Sequence, residues 1–532
     1  MNILPVNLSA LLIELDDLSQ ALGLFDHLHR HPIDGVTTII PAARTLLIYF
    51  TPARISAAQL TRMLMACPVS DASHRQGELI EIPVFYNGED LDEVARLLDM
   101  GTDEVIRRHG EHEYQVAFCG FAPGFAYLAG GAGFDVPRRT TPRTRIPAGA
   151  VALAGTFSGI YPTESPGGWQ LIGTTPLAMW DIQREPAALL QPGMRVRFTV
   201  TDAPPTRVSV PAGTVENRDT DAMPCLEVRQ PGLQSLFQDL GREGQTGQGV
   251  SGAGAMDKGA LRSANRIVGN PSNATAIECA QGGLSLVCHR PVIVAVTGAE
   301  VPVSITALDG TRHDAATWQP IELAEGDTLT LGATTSGLRC YLALRGGFEV
   351  TPVLGSTSTD TLAKLGPEPL RRGDVVSTAG LAVTAVSPGE MPPFELPRAG
   401  ECVTLDIIMG PRSDWFSEQA LALLCDQPWQ VTPRSDRVGI RLDGEHSLTR
   451  AHHGELPSEG TVTGALQVPA SGQPVLFLAD HPLTGGYPVI ACVAEHHLDL
   501  AGQIPPGATV RFNPITRFAP LAGDNAPPEV TS

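Results

Sequence analysis

A chain of 532 residues is too long for one hydrophobic core, and three or four domains are expected. Its 37 basic and 57 acidic residues give a net charge of −20, which excludes nucleic acid as a partner, since phosphate backbones need a basic surface. With 55 glycines, 45 prolines and 5% aromatic residues, the composition favours short strands and tight turns over helical bundles.

In chain order, residues 9–15 (SALLIEL) read as a strand and 16–29 as a helix. A strand pair follows over 36–50, then a helix at 57–66 and a strand at 78–84. This βαββαβ order predicts a ferredoxin-like α+β unit over 1–85. Helices are expected at 90–98 and 102–109, after which Gly- and Pro-punctuated β runs carry 86–200. The polar stretch 201–224 reads as a linker. A β-rich part at 225–395 and a second at 396–520 follow, with a boundary in the proline-rich 387–401. They hold helices at 255–268 and 413–424, and a flexible tail covers 521–532. The fold class is mainly β with an α+β N-terminal unit.

Nine cysteines stand singly, without a C-x-x-C pair, and read as reduced thiols. The N-terminus lacks a basic leader region, and no run approaches the ~18 apolar residues of a membrane span. A cytoplasmic protein with no membrane partner is expected. Residues 165–198 (SPGGWQLIG to QPGMRVRF) and 483–512 (LTGGYPVIA to PPGATVRF) share a plan: Gly-Gly-aromatic, an apolar strand, Pro-Gly, then a V-R-F strand. Two barrels on related plans are expected.

The segments FCGFAPGFAYLAG (118–130), VPRRTTPRTRIPAGAVALAG (136–155) and GIYPTESPGGWQLIGTTPLAMWD (159–181) resemble the family of 5-oxoprolinase B-type subunits. PGLQSLFQDLGREG (231–244), ALRSANRIVGN (260–270), YLALRGGFEVTPVLGSTSTD (341–360), SDRVGIRLDG (435–444) and LADHPLTGGYPVI (478–490) resemble the companion family of C-type subunits. The same families include urea amidolyase-type carboxyltransferase domains and the proteins called allophanate hydrolase subunits 1 and 2. The resemblance implies cyclophilin-like β-barrels and a site where the halves meet. It also implies that 86–200, together with 1–85, is carboxyltransferase subdomain A/B. The function implied is a component of an ATP-dependent 5-oxoprolinase, cleaving 5-oxoproline to L-glutamate with a separate A-type subunit. Alternatives are a biotin-dependent carboxyltransferase acting on urea or a related amide, and a regulatory protein that binds a histidine kinase.

Lactam opening and carboxyl transfer both need a base, a cationic clamp and oxyanion donors. Asp257, before a helix, is a candidate catalytic carboxylate, or equally its N-cap. Glu164, Asp480 and His481 are further catalytic candidates. Gly124, Phe125 and Tyr127 lie in a tight loop suited to anion binding, and Tyr161, Gly167 and Gly168 in a second polar loop. Arg143, flanked by Arg139 and Arg145, can clamp a carboxylate. Gln238, Asp239 and Arg242 sit beside turn glycines, and Arg434 and Arg437 form another basic cluster; all five are substrate-binding candidates. His452 and His453 lack further ligands, so no metal site is expected. No G-x-x-x-x-G-K-[ST] holds ATP and no A-M-K-M-like segment carries biotin. ATP and magnesium are therefore expected to act through the assembled complex, with no covalent biotin on this chain. Limited proteolysis should cut first within 201–224 or in the tail, leaving the fragments associated; early cleavage inside 231–270 contradicts the boundary.

Overall fold

In a computed structural model, residues 1–69, 77–131, 133–203, 214–215, 224–452 and 454–521 are described. The expected linker and tail, and His453, fall largely or wholly outside them.

The apolar run of the N-terminal unit has a direct explanation. Strand Ala10–Glu14 lies inside a four-stranded antiparallel sheet whose outer strands are Asn2–Asn7 and Val36–Pro41. Alternate side chains leave opposite faces of a strand. Leu11 and Ile13 pack on helices Leu18–Arg30 and Ala57–Met65, while Ala10 and Leu12 join Leu4, Val6 and Leu47 against Val462, Phe477 and Leu483 of the second half. A strand covered on both faces reads as continuously apolar.

The unit is α+β, but the expected βαββαβ order needs correction. Asn2–Asn7 takes an edge position, where Pro5 removes only one donor from the ladder. Leu79–Val84 leaves for the next sheet and pairs in parallel with Arg195–Val200, burying Ile82 and Val84. That next sheet has seven strands and carries helices Leu91–Leu97 and Thr102–Glu111.

The second half begins as a sandwich of a six-stranded and a five-stranded sheet. Helix Lys258–Ile267 lies on the outer face of the five-stranded layer, packing Ala260, Leu261, Ala264 and Ile267 on Ala276, Ala295 and Tyr341. A closed seven-stranded barrel follows, from Cys402–Met409 to Thr509–Thr516. The region expected to be helical at 413–424 is a 3₁₀ turn, Ser413–Trp415, then helix Glu418–Asp426 capped by Ser417.

The two V-R-F segments play the same part. Val196 and Phe198 pair in parallel with Ile80 and Ile82, and Val510 and Phe512 with Val403 and Leu405. Each Gly-Gly-aromatic loop follows a two-stranded ribbon, Arg143–Ile146 with Ser165–Gly167, and Glu459–Gly460 with Thr484–Gly485.

One buried cation ties the halves together. Arg412 places Nη1 2.9 Å from Glu14 Oε1 and donates from Nε to both Glu459 oxygens at 3.0 and 3.1 Å. Burial raises the Glu14 carboxyl, but Arg412 and its neighbours more than offset this and hold it below the usual range. Removing one partner of a buried cluster strands the others. Arg412→Met should therefore cost about 3–5 kcal/mol in urea unfolding. Arg44→Met, at the half-exposed Arg44–Glu14 pair, should cost about 1 kcal/mol or less. Equal losses for the two variants contradict the clamp.

Candidate active site between the two halves

A cleft of about 900 Å³ opens where the halves meet. The first half supplies an aromatic wall, in which Phe125 meets Tyr161 and Trp169 edge-on at 5.3 Å each and Phe118 stacks on Tyr127 at 4.2 Å. The second half supplies the polar wall of Thr361–Lys364, Arg437, Arg441, His481 and Thr484. The two related loops, Gly167–Trp169 and Gly485–Tyr487, both line the cleft. The walls meet where Phe121 N–H donates to Thr484 Oγ1 at 3.1 Å and Ser458 Oγ donates to the Tyr127 hydroxyl at 3.4 Å. A Cβ at Gly120 would lie 2.2 Å from Thr484 Oγ1, so only glycine permits this approach.

Among the described residues, His481 is the histidine that lines the cleft. It is buried and stacks on Phe477. Burial lowers its pKa below the ordinary histidine range, leaving the ring neutral. Nδ1 lies 2.9 Å from the Pro482 carbonyl, which can only accept, so Nδ1 carries the proton and Nε2 the lone pair. Burial pushes the Tyr161 hydroxyl upward, keeping it a donor.

Two family models match the chain: "Carboxyltransferase domain, subdomain C and D" over 1–190, and "Carboxyltransferase domain, subdomain A and B" over 248–514. The chain belongs to the carboxyltransferase-domain family. The first half of this carboxyltransferase-domain protein is 36% identical over 211 residues to the B-type subunit of 5-oxoprolinase from Haemophilus influenzae, covering 38% of this chain and 98% of the relative. The second is 32% identical over 300 residues to the C-type subunit of 5-oxoprolinase from Escherichia coli, covering 54% of this chain and 90% of the relative. A solved structure, of the protein designated TTHA0988, spans both halves with a TM-score of 0.81, 36% identity and coverage of 95% of this chain and 99% of that one. The subdomain expectation is reversed: the first half is C/D and the second is A/B.

Of the residues singled out in the sequence, Phe125, Tyr127, Tyr161, Glu164, Gly167, Gly168, Arg437 and His481 line the cleft. Glu164 pairs with Arg145 at 2.6 Å. Gly124, with φ of +76°, turns the loop behind the wall and donates its N–H to the Gln248 carbonyl at 2.9 Å.

The others are engaged elsewhere. Arg143 spends its guanidinium on Asp90, with two contacts of 2.8 Å, and Arg139 joins it at 2.6 Å. Arg434 is exposed and does not line the cleft. Asp480 is fully buried, with Arg437 Nη2 at 2.9 Å from Oδ1 and Thr361 N–H at 2.8 Å from Oδ2, so it positions rather than reacts. Asp239 accepts from Ser356 Oγ, Ser358 Oγ and Thr357 N–H at 2.6–2.8 Å. Gln238 Nε2 donates to the Thr359 carbonyl at 2.9 Å, and Arg242 donates to the Ser358 carbonyl. All three organise the segment leading to Thr361.

Asp257 caps its helix, accepting Ala260 N–H at 2.8 Å on Oδ1 and Gln503 Nε2 at 2.8 Å on Oδ2, and it does not line the cleft. Burial, then Asp499, push its carboxyl up to about 7. Arg138, Lys364, Arg441, Ser458 and Thr484 line the cleft without having stood out in the sequence. Thr484 lies inside the LADHPLTGG motif, the one signal that pointed to it.

One comparison separates the two candidate bases. In the assembled enzyme, His481→Ala should lower turnover of the folded fraction by ~10²-fold, beyond the stability that truncating a buried, stacked ring costs. Asp257→Asn sets an amide NH₂ against Gln503 Nε2 and should cost about 0.5–2 kcal/mol, with the folded fraction fully active. A folded-state pKa raised to about 7 gives stability that is complete below the unfolded carboxylate value and lost as pH rises through 7. The wild type should therefore lose stability more steeply than Asp257→Asn between pH 5 and 8. Loss of turnover in folded Asp257→Asn, or none in His481→Ala, reverses the assignment.

Proposed function

We propose that this chain is the fused B–C module of an ATP-dependent 5-oxoprolinase, opening 5-oxoproline to L-glutamate together with a separate A-type subunit. The supporting observation is a single cleft lined by both halves, one similar to a B-type and the other to a C-type 5-oxoprolinase subunit. Covalent linkage keeps the halves in fixed stoichiometry at high effective concentration.

The cleft suits a small amide or lactam. Its aromatic wall excludes water from one face of a flat ring, and the Tyr161 hydroxyl offers a donor to a carbonyl oxygen. His481 Nε2 can take the proton of an attacking water. The lactam is unstrained, and phosphorylation of its oxygen is the activation that ATP supplies. Of the cleft carboxylates, Glu164 pairs with Arg145 at the surface, and Asp436 Oδ1 accepts Val438 N–H and Gly439 N–H. The chain carries no G-x-x-x-x-G-K-[ST] phosphate loop, so on this reading ATP and magnesium sit on the A-type subunit. All nine cysteines are free thiols, and among the described residues no helix is long and apolar enough to cross a membrane. A cytoplasmic location is part of the proposal.

The family's description favours a second reading, carboxyl transfer to urea or a related amide from a carrier protein's biotin. Purified alone, the chain should neither hydrolyse ATP nor open 5-oxoproline. With the A-type subunit, ATP and magnesium it should release glutamate in step with phosphate. Avidin-sensitive, bicarbonate-dependent turnover supports carboxyl transfer instead. Suppression of a histidine kinase's autophosphorylation, without turnover, supports a regulatory role.

A further inference from the structure

The chain contains 35 arginines and only two lysines, Lys258 and Lys364. Lys258 opens the helix capped by Asp257, away from the cleft, whereas Lys364 lines the cleft. Its backbone has φ of +55°, a left-handed conformation that a side-chain-bearing residue adopts only when its surroundings impose it.

The surroundings here are unusually directive. Asp360 Oδ1 accepts Leu362 N–H at 3.0 Å and Ala363 N–H at 2.8 Å. Asp480 Oδ2 accepts Thr361 N–H at 2.8 Å and Thr361 Oγ1 at 2.7 Å, and Asp480 is itself held by Arg437. Asp360 and Leu365 close the loop through a pair of backbone hydrogen bonds. Upstream, Gln238, Asp239 and Arg242 fix residues 353–359. The polar motifs of the second half thus converge on one five-residue loop, and Lys364 is the only charged side chain that this loop brings to the cleft lining.

The charge balance of the cleft is cationic, although the chain as a whole is strongly acidic. Glu164 pairs with Arg145 and Arg437 is neutralised by Asp480 and Glu278, which leaves Asp436, hydrogen-bonded to Val438 N–H and Gly439 N–H, as the one carboxylate against Lys364, Arg138 and Arg441 in the cleft lining. Among the described residues, no ion-pair partner faces Lys364 or Arg441, and Arg138 has only a 4.0 Å approach to Glu455. Arg441 stands on a regular strand with no comparable cradle.

We propose that Lys364 is the anion-binding residue of the cleft, receiving the carboxylate of a small amide-type substrate whose ring or amide plane lies against the aromatic wall. A lysine ammonium serves as a point charge for a carboxylate, and the pinned loop fixes the backbone from which the exposed side chain reaches it. The inference rests on the cleft being the substrate site.

Having two lysines makes the test direct. Reductive ¹³C-methylation of the full chain keeps both charges and yields two lysine resonances besides the terminal amine; Lys364→Arg identifies the one that disappears. L-5-oxoproline should shift the Lys364 resonance saturably and leave that of Lys258 unmoved. 2-Pyrrolidinone, the same ring without the carboxylate, should shift neither. Lys364→Met should raise KM for 5-oxoproline at least ~10-fold in the assembled enzyme, with a smaller change in kcat. If malonate or allophanate moves the Lys364 resonance and 5-oxoproline does not, the anion site stands and the oxoproline reading falls. If 5-oxoproline turns over with unchanged KM in Lys364→Met, the oxoproline reading stands and the anion site falls. Failure of every carboxylate tested to move the Lys364 resonance overturns the inference.

Discussion

Leu11 and Ile13 face two helices while Ala10 and Leu12 press on the C-terminal barrel, so the N-terminal sheet has no solvent-facing side. The apolar contact brings the halves together without fixing their register, because hydrophobic burial is non-directional. Register comes from the polar contacts at its edge. Arg412 reaches Glu14 on one half and Glu459 on the other, and Glu459 opens the ribbon that presents Thr484 and Gly485 to the cleft. A shift of this joint would move the polar wall relative to the aromatic wall. The geometry of the cleft is therefore a consequence of packing outside it.

The cleft also reflects a duplicated plan. In each half a V-R-F strand closes the sheet by parallel pairing, and a Gly-Gly-aromatic loop follows a short ribbon. Trp169 and Tyr487 both line the cleft at the ends of these loops. The halves have diverged in what else they supply. One supplies stacked aromatics; the other supplies a loop pinned by Asp360 and Asp480, together with His481. An apolar face and a polar face on opposite sides of one cavity is the arrangement that small planar ligands require.

Helix caps were legible in the sequence because capping is local: Asp257 stands three residues before the amide it accepts, and a polar residue before an apolar periodic run marks the start. The related loops were legible for the same reason. The partner of Leu79–Val84 was not, because a parallel pairing with Arg195–Val200 crosses more than a hundred residues. Arg143 read as a substrate clamp because nothing near it in sequence reveals that Asp90 faces it. Gln238, Asp239 and Arg242 read as substrate-binding residues beside turn glycines, yet they stand off the cleft lining and hold the loop that carries Lys364. Lys364 itself looked ordinary, as its neighbours LAK and LGP carry no motif.

Both halves line one cleft, and together they form the proposed site. A crystal structure of the full chain soaked with L-5-oxoproline tests it most directly. Ligand density is expected in the cleft, touching the Tyr161–Trp169 wall of the first half and the Lys364–His481 wall of the second. Density contacted by one half alone, or bound beside Asp257, contradicts it.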